Sequence, residues 1–351
     1  MSENLPPVLA VEGLRVGYPG ARGLPSWAVD GVDLAISRGE RVGIVGESGS
    51  GKSSLALSCL GLARGAVVRG TVAVEGVPFE PSLRAMRRVR GSVIGLVLQD
   101  PLSALNPVIT LGRQLEEVLT VRGVSRSQAR ARAVELLDRV GVADAARRLN
   151  AYPREFSGGM RQRVVIAMAL MAGPRLLIAD EPTTALDVRN QQKVLDLLRE
   201  LCDERQMALM LISHDIDVVS EIADRTVMFY AGRLVEEGPT GPMLTRPAHP
   251  YTAGLIASRP RLTGSIPDRL PSIAGSPPRP GELAGQCRFS PRCRFAADVC
   301  RATEPELRDI GRDRHTVACH LAESIDPSAA PPPSGQDPAG QDSAVRNGAP
   351  A

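Results

Sequence analysis

The chain has 351 residues, 43% of them hydrophobic and 23% charged, with a formal net charge of +3. That length allows two domains and a sizeable core, and the small charge gives no ground for a nucleic-acid partner or an anionic membrane surface. Residues 1–7 carry Glu3 and two prolines without a basic and then an apolar stretch, so no export is expected. The longest apolar runs, such as 164–172, are far too short to span a bilayer, so any membrane role must come through partner subunits.

In chain order, residues 8–16 alternate apolar and polar side chains and predict a strand, with Tyr18 following in a Gly/Pro-rich loop. A second strand at 28–36 should pair nearby, and Arg38-Gly39-Glu40 turns into an apolar run at 42–45. That run leads into Gly46-Glu47-Ser48-Gly49-Ser50-Gly51-Lys52-Ser53, which fits the phosphate-loop pattern G-x-x-x-x-G-K-[ST], and Ser54 begins a helical stretch. The residue types have a physical reason. Glycine lets the backbone approach phosphate oxygens closely, and the freed N–H groups form an anion nest at a helix N-terminus. Lys52 would reach the β and γ phosphates, and the Ser53 hydroxyl would ligate magnesium.

Residues 71–77 read as a further strand of an antiparallel edge, and 93–98 as an apolar run ending at Gln99-Asp100-Pro101. A helical pattern at 111–146 is followed by Phe156-Ser157-Gly158-Gly159 and a helix at 160–171. A hydrophobic strand at 175–179 ends in Asp180-Glu181-Pro182. Then come a helix at 191–203, a buried strand at 208–212, a helix at 216–222, and a hairpin of 226–230 with 233–237 around Ala231-Gly232. Strands alternating with helices predict a largely parallel α/β sheet with a helical insert at about 100–165. After about residue 240 the composition shifts to Pro, Arg and Gly. Segment 326–351, with six prolines and Val345 as its one sizeable apolar residue, reads as disordered.

Asp180 and Glu181 stand at a strand end, where open α/β sheets place ligand-binding residues. One carboxylate can hold magnesium and its neighbour can polarise water, although a helix N-cap pair would look the same. Ser157-Gly158-Gly159 can bind an anion or simply cap a helix. His214 and Gln99, taken singly, carry no assignment.

Together these motifs resemble one family. Tyr18, the phosphate loop, Gln99, Phe156-Ser157-Gly158-Gly159-Met160, the Asp180–Glu181 strand end, Thr184-Ala185-Leu186-Asp187 and His214 occur in the order found in the nucleotide-binding subunit of ATP-binding-cassette (ABC) transporters, over residues 8–240. The resemblance implies a RecA-like phosphate-loop NTPase core with an antiparallel β subdomain and a helical subdomain. It implies that Tyr18 stacks on adenine, and that the loop from Gly46 to Ser54 holds ATP with Mg2+. Gln99 would contact magnesium and water, Asp180 would bind magnesium, Glu181 would act as general base, and His214 would contact the γ-phosphate. Ser157 and Gly159 would meet ATP on an opposite cassette, and Asp187 would line that interface. Met160 stands where an amide is commoner, which removes one polar contact.

Two cassettes would therefore pair head to tail, the second being a related chain, and drive two transmembrane permease subunits supplied by an extracytoplasmic substrate-binding protein. The expected location is the cytoplasmic face of the cell membrane. A soluble cassette ATPase acting on DNA or ribosomes would usually carry two cassettes or long coiled-coil inserts. A module that binds without hydrolysing would be expected to lose Glu181.

His249-Pro250-Tyr251-Thr252, Gly275-Ser276-Pro277-Pro278 and Cys287-Arg288-Phe289-Ser290-Pro291-Arg292-Cys293 resemble the C-terminal extension of dipeptide, oligopeptide and nickel importers, here at 241–325. Peptide uptake is the expected function, with nickel or another small solute as alternative. Of six cysteines, Cys59 and Cys202 read as buried small hydrophobes. Cys287, Cys293, Cys300 and Cys319, separated by five, six and eighteen residues, suggest a metal site in a chain without a disulfide framework. A [4Fe–4S] cluster, zinc and free thiols all stay open, with His320 as a substitute ligand.

Overall fold

The computed structural model describes residues 5–20, 23–79, 84–184, 186–259, 272–312 and 314–326. Ala185 of the motif ending in Asp187, and the segment 327–351 expected to be disordered, lie outside the described residues.

Strands β1 (Leu9–Pro19) and β2 (Pro25–Ile36) form an antiparallel pair. With β4 (Val67–Val74) and β5 (Val77–Phe79) they make a four-stranded sheet of order β2-β1-β4-β5. The Gly/Pro-rich stretch predicted as a loop at Tyr18 is instead the end of β1. Tyr18 pairs with Ser26 and Pro19 with Pro25, because both prolines sit at the strand ends, where a missing donor costs no ladder bond.

The second sheet carries the site. Strands β3 (Arg41–Val45), β6 (Ile94–Val97), β7 (Leu176–Asp180), β8 (Ala208–Ser213) and β9 (Arg225–Tyr230) run parallel in the order β9-β3-β8-β7-β6. Their near-continuous apolar sequences follow from burial on both faces. Val42, Ile44, Ile178, Met210 and Ile212 face the antiparallel sheet and α1 (Lys52–Cys59). Val45, Leu177, Ala179, Leu209 and Leu211 face the helices of the other layer. The period of two along each strand thus builds two cores with one sheet between them. Cys59 and Cys202 are buried among them, their thiols pushed up to about 12 by burial.

Between β6 and β7 lie α2 (Pro101–Ala104), α3 (Leu111–Thr120), α4 (Arg126–Arg139), α5 (Ala145–Arg148) and α6 (Gly158–Leu170). The helical pattern of 111–146 is divided among three helices, α3, α4 and α5. The Gly141 and Val142 N–H groups turn back onto the Asp138 and Leu137 carbonyls and close α4. Ser125 caps its start by accepting from the Gln128 N–H at 3.3 Å. Buried Glu116 on α3 is clamped by Arg126 at 2.8 Å and Arg130 at 3.0 Å from α4. Helices α7 (Val188–Arg205) and α8 (Ile216–Ile222) follow β7 and β8.

Beyond residue 240 the chain is more regular than its composition suggests. β10 (Arg233–Pro239) pairs with β9, and α9 (Thr240–Thr245), α10 (Pro250–Ala257) and α11 (Asp298–Ala302) follow. β12 (His315–Val317) then pairs with β10, and β11 (Arg308–Arg312) pairs with β12, so the large sheet reads β11-β12-β10-β9-β3-β8-β7-β6. These strands are short and rich in Arg, His and Gly, so no alternation marks them in the sequence.

Candidate functional site

The loop after β3 opens directly onto α1, with Lys52 as the first helical residue. Two of its glycines are required by packing. A Cβ on Gly46 would stand 2.1 Å from the Phe229 carbonyl oxygen of β9. One on Gly51, whose φ is +109°, would stand 2.1 Å from the Ala28 carbonyl of β2. Ser48 and Gly49 are exposed and Ser50 is buried. The Lys52 ammonium lies folded into the loop, donating to Gly46 O at 2.7 Å and Glu47 O at 2.9 Å. Burial pulls the Lys52 pKa down, and the charges of Glu181, Asp180 and Glu47 oppose that pull.

Tyr18 reaches α1 from the end of β1, its hydroxyl 3.2 Å from the Ser54 hydroxyl. The elements thus place an aromatic face beside the loop.

Asp180 ends β7 and is buried. Burial raises its pKa, a hydrogen bond from Ser53 lowers it, and the Glu181 charge raises it further. Its Oδ1 is buried without a hydrogen-bond partner. A buried carboxylate oxygen left open beside the Ser53 hydroxyl is the donor set a hard cation needs, so these two residues fit Mg2+.

Glu181 gathers the remaining polar groups. Its Oε2 accepts from Gln99 Nε2 at 2.8 Å and from the Thr184 hydroxyl at 3.0 Å, and its Oε1 lies 3.2 Å from His214 Nδ1. The Glu181 backbone is left-handed, with φ +48°, and its N–H donates to the Ile212 carbonyl of β8. A non-glycine residue held there stores strain, which the neighbouring strand over-determines. Glu181, Gln99 and His214 are therefore brought together, each from a different strand end.

The other predicted residues stand elsewhere. Ser157 caps α6, accepting from the Met160 N–H at 3.3 Å, and Ser157 and Gly158 are exposed with open space at the Gly158 Cβ position. Gly159 faces Leu186. Asp187 caps α7 through the Asn190 N–H at 2.9 Å and the Asn190 amide at 2.6 Å, which hold its carboxyl below the usual range. Among the described residues no hydrogen bond or ion pair links 157–159 to the phosphate loop.

Cys287, Cys293, Cys300 and Cys319 line one small pocket with His249 and His320. Burial and mutual repulsion raise the Cys287 thiol to about 12, and burial raises that of Cys319 to about 11. Among the described residues no three His, Cys, Asp or Glu side chains converge tightly enough to hold one metal ion.

Several contacts of the loop were not legible as site features. The Glu47 N–H donates to the Tyr251 hydroxyl at 3.0 Å, and the Glu47 carboxylate pairs with Arg292 at 2.8 Å. Arg292 lies inside the cysteine-bearing motif, between Cys287 and Cys293. Arg288 and Arg294 stand close by among the same aromatic residues and cysteines, so nothing in that pattern singles out Arg292.

A phosphate loop, an open buried carboxylate at the neighbouring strand end and a glutamate hub beside it define a phosphate-loop nucleotide hydrolase. Comparison with known proteins gives the family. Residues 29–184 match the ABC transporter family model, and residues 235–300 match that of the oligopeptide/dipeptide transporter C-terminal region. A putative peptide import ATP-binding protein of Brucella abortus is 46% identical over 328 residues, covering 89% of this chain and 96% of that protein. Another from Brucella suis is 48% identical over 309 residues, covering 87% and 92%.

Among solved structures, a dimeric ATP-binding cassette in a post-hydrolysis state with ADP and Pi matches with a TM-score of 0.59 at 29% identity. It covers 66% of this chain and 98% of that one. The cbiO1 protein of Clostridium perfringens, part of an ABC transporter complex, matches with a TM-score of 0.59 at 28% identity, covering 68% and 91%. The chain belongs to the ABC transporter family, as an ATP-hydrolysing subunit carrying the oligopeptide/dipeptide-type C-terminal region. ATP with Mg2+ is its nucleotide, and membership implies a cassette dimer with transmembrane partners. Among the described residues no helix is long and apolar enough to cross a membrane.

Proposed function

We propose that this chain powers the uptake of di- and oligopeptides from the cytoplasmic face of the cell membrane, within an importer that also contains two permease subunits and an extracytoplasmic substrate-binding protein. The observation that carries this reading is the union, in one chain, of the Glu181 hub with a C-terminal region of the oligopeptide/dipeptide type. The peptide import names of the Brucella proteins support it.

In this reading Tyr18 stacks on adenine, and the N–H groups from Ser48 to Ser53, with Lys52, take the phosphates. Ser53, Asp180 and Gln99 hold magnesium, which neutralises phosphate charge. Glu181 takes the proton of the water that attacks the γ-phosphorus. The bond from that phosphorus to the bridging oxygen breaks, giving ADP and phosphate. His214 contacts the γ-phosphate, a role that its position 3.2 Å from Glu181 supports.

Ser157, Gly158 and Gly159 complete the site of a second, related cassette placed head to tail, with Asp187 at the shared interface. The dimeric state of the similar ATP-binding cassette solved with ADP and Pi supports this pairing. Closure on ATP and reopening after hydrolysis then drive alternating access.

For the four cysteines we propose a structural [4Fe–4S] site. They line one pocket, and the thiols of Cys287, Cys293 and Cys319, made hard to ionise by burial, need a positive partner to become ligands. Iron, sulfide and visible absorption in anaerobically purified protein would check it, and their absence would refute it.

The function is tested by deleting the gene in its native host and supplying peptides as the only source of a required amino acid. Growth is expected to fail and to return with the wild-type gene. Normal growth on peptides together with lost nickel uptake would replace the peptide reading.

A further inference from the structure

The phosphate loop is held by a part of the chain that lies far from it in sequence. Every polar group of Glu47, the residue after the first loop glycine, is committed. Its N–H donates to the hydroxyl of fully buried Tyr251 at 3.0 Å. Its carbonyl accepts from the Lys52 ammonium at 2.9 Å. Its carboxylate takes both prongs of the Arg292 guanidinium, Nη1 to Oε2 at 2.8 Å and Nη2 to Oε1 at 3.0 Å.

Arg292 is itself fixed, with 6% of its side chain exposed. Its Nε donates to the Ala274 carbonyl at 2.8 Å, Nη2 to the Ile273 carbonyl at 3.4 Å, and Nη1 to the Tyr230 hydroxyl at 3.2 Å. Tyr230, Tyr251 and Phe289 pack ring on ring behind it, with centroids 4.7–5.6 Å apart.

We propose that Arg292 is a positioning residue for the phosphate loop, setting the orientation of Glu47 and through it the anion nest that receives the phosphates of ATP. The inference rests on the loop being the nucleotide site and adds a residue from the C-terminal region to it. A planar guanidinium gripping a carboxylate at two points fixes its direction as well as its distance, which a single ammonium cannot do. The same Glu47 carbonyl anchors Lys52, so a rotation at Glu47 displaces both the nest and the lysine. A loop ordered before the nucleotide arrives binds more tightly than one ordered by the nucleotide, because less freedom is lost on binding.

The test measures binding of a fluorescent ATP analogue to the full-length chain, with thermal melting alongside. Arg292→Met and Glu47→Gln are each expected to weaken binding about fivefold to thirtyfold, the range of a one to two kcal/mol coupling. The double variant should bind no worse than the weaker single variant, and Arg292→Lys should fall between wild type and Arg292→Met. Glu323→Gln cuts a different ion pair of the C-terminal region, with Arg308, and should bind as wild type does. That control separates positioning of the loop from general attachment.

Wild-type affinity in Arg292→Met while Lys52→Ala fails to bind would overturn the inference and leave the nucleotide site standing. So would losses that multiply in the double variant, or an equal loss in Glu323→Gln. Unchanged binding in Lys52→Ala would overturn the site reading and this inference with it. Should Arg292→Met fail to fold, Glu47→Gln and Arg292→Lys decide the matter by the same criteria.

Discussion

Replacing Glu181 by glutamine removes a charge and a base while keeping volume and shape. The carboxylate sits among three groups, Gln99 Nε2 at 2.8 Å, the Thr184 hydroxyl at 3.0 Å and His214 Nδ1 at 3.2 Å, and its side chain is only 10% exposed. An amide can keep the contacts with Gln99 and Thr184 through its oxygen, so the local fold should survive. What disappears is the proton acceptor. Positioned general bases contribute roughly 10²–10⁴ to rate, which is about 2.7–5.4 kcal/mol of barrier at 1.36 kcal/mol per decade. Nucleotide affinity should stay close to wild type, because Lys52, Ser53 and the loop N–H groups are untouched. The assays are phosphate release by the assembled transporter and size-exclusion chromatography with ATP and Mg2+. The variant should turn over two to four decades more slowly, a range set by that general-base term, and accumulate as a nucleotide-bound dimer. Undiminished turnover at unchanged affinity would refute the assignment of Glu181 as base.

Ser157→Ala should leave ATP binding by the separate chain unchanged while lowering hydrolysis by paired cassettes. Loss of the cap to Met160 costs only about 0.5–2 kcal/mol of stability. A parallel fall in the binding of the isolated chain, measured by analogue titration, would contradict a role on the opposite cassette. Arg288→Ala removes a guanidinium, 9% exposed, that joins Asp30 of β2 to Glu304. Asp30 keeps Arg15 and Glu304 keeps Arg233, so the loss is that of charge-assisted hydrogen bonds and should cost about 1.5–3 kcal/mol in a urea unfolding series. Burial pushes the Asp30 carboxyl up, but the hydrogen bond and charge of Arg288, with help from Arg15, hold it below its ordinary value of 3.8. A depressed carboxyl pKa adds stability above the unfolded value and loses it as pH falls through the folded one. The gap between wild type and Arg288→Ala should therefore be full at neutral pH and shrink below about pH 3.8. A gap independent of pH would show that Asp30 is not its source.

The parts of the molecule legible in the sequence are those whose physics is local. Gly46 to Ser53 announces itself because close approach to phosphate demands glycine at fixed spacing, and the strand and helix around it show their own periods. The apolar runs ending at Val97, Asp180 and Ser213 are readable as strands buried on both faces, so the groups at their ends could be placed near one another. Three features were beyond that reach. The end of β1 at Tyr18 and Pro19 looked like a loop because proline and glycine mark turns more often than strand ends. The left-handed backbone of Glu181 is imposed by the β8 carbonyl of Ile212, a partner no local pattern names. The clamp of Arg292 on Glu47 spans 245 residues, and nothing in either segment points to the other.

That clamp bears on why the C-terminal region is folded as it is. A segment needed only to hold its cysteines could hang from the edge of β10 by the short pairing with β12. Instead the chain returns across the large sheet and delivers three side chains to the nucleotide end of it. Tyr251 meets the loop backbone, Arg292 meets the loop carboxylate, and Arg288 meets Asp30 on the strand whose Ala28 carbonyl crowds Gly51. Burying two guanidinium groups this thoroughly is costly unless each is fully paired, and both are. Charged contacts of that cost, concentrated at the phosphate loop, are what is expected when the geometry of the loop itself is what the region maintains. The change in composition near residue 240 therefore marks a boundary along the sequence but none in the packing around ATP.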